Sequence, residues 1–72
     1  MNVDLIRAAF IRTHLDRAQR HLQDPSAIRT AREFRTYLNW HEGTLPEPER
    51  KSISQQLIEL ECNLSFITHR EP

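Results

Sequence analysis

The placement of one glycine and four prolines constrains this chain more than any other feature. Gly43, Pro25, Pro46, Pro48 and Pro72 all fall outside the stretches in which apolar residues recur at helical spacing. Proline inside a helix removes a backbone donor and collides with the preceding turn, and glycine there gives up backbone entropy. Helix formers fill the intervening segments, and β-branched residues never alternate in the two-residue rhythm of a strand. The sequence therefore predicts an all-α chain cut into helices over about residues 3–22, 25–41 and 48–68.

Each segment carries one apolar stripe. Ala8, Ile11, Leu15, Ala18 and Leu22 follow three- and four-residue steps along the first. Ala27, Ile28, Ala31, Phe34 and Leu38 share one face of the second. Ile53, Leu57, Leu60, Leu64 and Ile67 form the third stripe, the cleanest heptad seam in the chain. Asp24 before Pro25 suits a helix cap followed by proline at the first helical position, with Ser26 as an alternative. Gly43 is expected to end the second helix in a left-handed turn, and either Thr44 or Glu47, at capping-box spacing, to start the third. Connections this short set neighbouring helices antiparallel. The expected architecture is one domain over residues 1–72, an up-down-up three-helix bundle, or in its main variant a long helical hairpin with a short middle helix.

A domain of 72 residues buries only about 60% of its unfolded surface, so its core is marginal without reinforcement. Cys62 is the one cysteine, which excludes an intrachain disulfide and fits a reducing, cytoplasmic setting. A single helical cysteine is expected to serve as a small buried hydrophobe. Association with a partner or with itself is then the expected source of added stability. The longest apolar run, Ala8 to Ile11, is far short of the roughly 18 residues of a membrane span, and no signal peptide is expected.

Charge is balanced overall, ten basic against ten acidic side chains, so no global field favours nucleic acid or an anionic membrane. The halves differ. Residues 1–36 hold seven arginines against four carboxylates, a net +3, and residues 37–72 hold three basic groups against six glutamates, a net −3. Arginine outnumbers lysine nine to one. Arg12, Arg17, Arg20, Arg29, Arg32 and Arg35 form a basic face on the first two helices that could meet an anion or an acidic protein surface. Without a glycine-rich loop, a stacking platform or a recognisable helix-turn-helix, the nucleic-acid signal is weak.

Two helices carry apolar residues beyond their stripe. Val3, Ile6 and Phe10 lie on a flank of the first, continued by His14, Arg17 and His21. Ile58, Cys62 and Phe66 lie nearly opposite the Leu57/Leu64 seam of the third. Such residues either fill the wide arcs of a three-helix core or form an interface, and opposed stripes cannot both face one neighbouring pair of helices. Tyr37 and Trp40 also stand off their helix's stripe. The Leu45–Pro48 loop is expected to fold back over Trp40, with an interface anchor as the alternative.

Chemistry finds little footing. His14 and His21 are seven residues apart, about 10 Å of helical rise, too far to share a metal ion. No paired metal-ligand motif, phosphate-cradling loop or nucleophile elbow is present. The expectation is a non-enzymatic protein–protein interaction module without metal or cofactor, of the small regulator, adaptor or inhibitor type that bacteria and phages encode. It would self-associate through Val3, Ile6, Phe10, Tyr37, Trp40, Ile58, Cys62 and Phe66. The alternative is a nucleic-acid or nucleotide-binding regulator using the arginine face.

Overall fold

The computed structural model describes residues 3–69; Arg70, Glu71 and Pro72 of the sequence reading lie outside them. Helix α1 spans Val3–Arg20, α2 spans Pro25–His41, a 3-10 turn covers Glu42–Thr44, and α3 spans Glu47–His69. No strand occurs among the described residues. Each helix packs against the other two. The middle helix, at 17 residues, is nearly as long as the 18 of α1, which removes the hairpin with a short middle helix.

Local chemistry sets the boundaries. Helix α1 ends two residues before Leu22, where the His21 N–H bonds the Ala18 carbonyl at 3.2 Å and the Asp24 N–H bonds that of His21 at 3.0 Å. Asp24 then caps α2: its carboxylate accepts the Ser26 N–H at 2.9 Å, and its carbonyl accepts that of Ala27 at 2.9 Å. Pro25 takes the first helical position, where a missing N–H leaves no bond unmade.

The other end of α2 departs from the sequence reading. No described residue, Gly43 included, adopts a left-handed φ, and a Cβ built on Gly43 would meet nothing within 4 Å. The chain leaves α2 through the 3-10 turn, and Thr44 Oγ1 donates to the His41 carbonyl at 2.7 Å. Thr44 thus serves the end of α2. Neither it nor Glu47 caps α3, because the Arg50 N–H bonds the Pro46 carbonyl at 2.8 Å and makes Pro46 the capping residue. Glu47 and Glu49 occupy the first turn of α3, where carboxylates complement the helix dipole.

The core joins Ala8, Ile11, Leu15 and Ala18 of α1, Ala27, Ala31 and Leu38 of α2, and Ile53, Leu57, Leu60 and Leu64 of α3. Helix α3 contributes only large side chains, whereas α1 and α2 contribute alanines among theirs, so large groups from one helix meet small ones on its neighbours. Leu22, Phe34 and Tyr37 pack against this core from its margin. Three details correct the expected stripes. Ile67, the last residue of the expected α3 seam, is only half-buried and lies outside the core. Ile28 is 41% exposed, because it sits about 100° around the helix from Ala27, towards the edge of the apolar arc. Leu45, in the loop, is buried instead and closes one end of the core.

Candidate functional site

Helix faces turned away from the core hold most of the expected contact residues. On α3, Ile58 is 52% exposed and Phe66 67% exposed, and Cys62 between them is exposed as well. Exposure of Cys62 overturns its expected role as a small core residue: at about 100° per residue, it falls opposite the Leu57/Leu64 seam. A shallow groove along this face is lined by Ile58, Glu61, Cys62, Ser65 and Phe66. A second groove, between α2 and α3, is lined by Ile28, Ala31, Arg32, Arg35, Glu61, Leu64 and Ser65. Glu61 and Ser65 border both, so the outer stripe of α3 continues sideways to Ile28.

On α1, Val3 and Ile6 are exposed and Phe10 is 60% exposed. This flank is tied into the fold further along. The Phe10 ring meets His14 edge-on at 4.3 Å between centroids, and His14 lies 6.0 Å from the ring of Phe34 on α2. The α1 flank therefore grades into the α1–α2 junction, whereas the α3 stripe faces outward.

The two α2 aromatics separate. Tyr37 is half-buried against the core, its ring 5.1 Å from that of His41 and its buried hydroxyl without a hydrogen-bond partner. Trp40 is 79% exposed. The loop expected to cover Trp40 turns Leu45 into the core instead, because sealing the end of the bundle buries an aliphatic side chain that the helix stripes leave room for.

Arginines predicted to form one basic face have divided fates. Arg35 grips Glu61 with a fork, Nε to Oε2 at 2.9 Å and Nη2 to Oε1, and joins α2 to α3. Arg12 lies 2.9 Å from Glu49 and links α1 to α3; Glu49 Oε2 is buried without an aligned hydrogen bond, so this contact is mainly coulombic. Arg20 pairs with Asp16 one turn earlier, at 3.0 Å. Arg17, Arg29 and Arg32 remain exposed. Half of the proposed face is thus occupied by carboxylates of the same chain.

The Asp24 carboxyl has a displaced titration. The Ser26 backbone N–H, then the Ser26 side chain, hold its carboxyl below the usual carboxylate range, with smaller help from the charges of His21 and Arg29. These are the hydrogen bonds of a helix cap in solvent. Among the described residues, no three His, Cys, Asp or Glu side chains gather to hold a metal ion, and no helix is long and apolar enough to cross a membrane. Leu45 and the Arg35–Glu61 fork escaped the sequence reading. An apolar residue just before a helix cap is the local signal that marks Leu45. Nothing local marks the fork, whose partners are 26 residues apart. Comparison with protein-family models, curated proteins and solved structures finds no match.

Proposed function

We propose that this chain is a non-enzymatic helical interaction module that self-associates through its outward apolar faces, in a cytoplasmic setting. The observation that carries this reading is the outer stripe of α3, where Ile58 and Phe66 are more than half exposed opposite a buried seam. An exposed side chain of this size forgoes about 1.5–3 kcal/mol of burial. That matters for a small domain whose net stability is about 5 kcal/mol. The α1 flank of Val3, Ile6 and Phe10 is the second candidate face.

The same reading takes the helices as one up-down-up domain. In its support, Arg12 meets Glu49 early on both α1 and α3, and further along both helices Asn63 Nδ2 donates to Gln19 Oε1 at 2.9 Å, the order that helices running the same way would give. The nucleic-acid alternative is weaker, since Arg12, Arg20 and Arg35 are engaged by Glu49, Asp16 and Glu61.

Light scattering on the full chain and on two variants, Ile58→Glu/Phe66→Glu and Ile6→Glu/Phe10→Glu, tests the proposal. The wild type is expected above its monomer mass of 8.6 kDa, with at least one variant monomeric and still helical. A wild type that is monomeric even at high concentration overturns self-association. Nucleic-acid binding that falls steeply with salt would support the alternative instead.

A further inference from the structure

We propose that two copies of this chain pair antiparallel along the outer face of α3, about a twofold axis that passes between the two Cys62 side chains. This rests on the self-association reading and adds the partner, its direction and its register.

The stripe is symmetric about its middle. Ile58 and Phe66 stand four residues to either side of Cys62, each about 6 Å along the helix. An axis at Cys62 therefore sets each Ile58 against the other copy's Phe66, and the small thiol falls where the two backbones come closest. Both ends of the contact then hold one branched and one aromatic side chain. A parallel pair would stack Phe66 on Phe66 and Ile58 on Ile58, with unequal layers.

Charge at the rim points the same way. An antiparallel pair brings the same edge of each helix together, so the α2 edge lies beside the α2 edge of the second copy. On that edge Arg35 holds Glu61, while exposed Arg32 lines the groove that also contains Leu64 and Ser65. An axis at Cys62 brings the level of Leu64 to that of the second copy's Leu60, one residue from the second copy's Glu61. Each Arg32 then meets a carboxylate already oriented by Arg35. A parallel pair sets unlike edges together and takes Arg32 away from it. A contact along one helix face covers less than the roughly 800 Å² per partner of a standard interface, so the pair is weak and reversible.

Because Cys62 is the one thiol, the full chain reports its own register. Under copper–phenanthroline in air, two thiols give one disulfide, and their two electrons and two protons pass to dioxygen. The bond needs Cβ atoms about 3.5–4.5 Å apart. Wild type is expected to cross-link about tenfold faster than Phe66→Glu, the step a loss of 1.4 kcal/mol of association would give. The control Gln55→Cys/Cys62→Ala moves the thiol two turns from the axis on the same face and is expected to cross-link slowly. Arg32→Glu is expected to raise the dimer Kd about tenfold, with helicity unchanged. Rapid cross-linking of the control, none at Cys62, or an unmoved Kd in Arg32→Glu overturns this register while leaving self-association intact. A wild type that light scattering finds monomeric removes both.

Discussion

On α3, Leu57 and Ile58 are neighbours in sequence, yet Leu57 is fully buried and Ile58 is 52% exposed. The same contrast separates Leu64 from Phe66 two residues later. Composition does not distinguish the two faces, since each carries large apolar side chains. Their angular position does. Helices α1 and α2 both approach α3 from one side, so the seam at Ile53, Leu57, Leu60 and Leu64 is buried against them, while Ile58 and Phe66 on the opposite face stay more than half exposed. Hydrophobicity therefore selects which residues seek burial, and helix phase decides which of them find it inside one chain.

Truncation at neighbouring positions probes that contrast at its largest. Leu57→Ala or Leu60→Ala is expected to lose about 2–5 kcal/mol in thermal or denaturant unfolding, as buried leucine truncations do. Ile58→Ala, in dilute monomer, is expected to change stability by less than about 0.5 kcal/mol. Equal losses at Leu57 and Ile58 would mean that the two faces do the same work. The rim between them comes next. Arg35→Ala is expected to lose no more than about 1 kcal/mol, since both partners of its fork are more than a third exposed and screened by solvent.

The ends of α2 offer a smaller contrast, one capped by the charged Asp24 and the other leaving through a 3-10 turn closed by the neutral Thr44 hydroxyl. Asp24→Ala is expected to lower the melting temperature at neutral pH. The folded-state pKa of Asp24 lies below its unfolded value, so its contribution is present above the usual carboxylate range. It is lost as pH falls through the folded pKa, and the gap between variant and wild type should close there. A gap that persists at lower pH would assign the effect to something other than the charged cap. Gly43→Ala is the smallest change and has the opposite sign. The position needs no left-handed φ and has open space, so alanine is expected to be neutral or to stabilise by up to about 1 kcal/mol through the unfolded chain.

Sequence periodicity located the helices because buried stripes repeat at helical spacing, and Pro25 fixed the start of α2 to the residue. It also separated the two faces of α3, since phase can be counted along one helix. What it missed depends on contacts between elements. Ile28 and Ala27 look alike in a stripe, and only the position of α3 beside α2 leaves Ile28 at the edge. Leu45 has no periodic neighbours, so its burial follows from how the loop closes the bundle. Gly43 suggests a left-handed exit by its residue type alone, although the 3-10 exit needs no glycine. Arg20 and Asp16 stand one turn apart, a spacing legible in the sequence, but Arg12 and Arg35 are engaged by Glu49 and Glu61 from another helix, at a distance along the chain that no local spacing reveals.

If the seam of α3 holds one molecule together and its outer stripe joins two, assembly and folding stability are linked. Melting temperature as a function of protein concentration tests this most directly, because association that involves only the folded state raises it with concentration. Wild type is expected to melt higher as concentration rises. The Ile58→Glu/Phe66→Glu variant is expected to melt at one temperature throughout, equal to the wild type's dilute limit. A concentration-independent wild type, or a variant that melts well below that limit, would contradict the claim, the second result placing the outer stripe in the fold's own core.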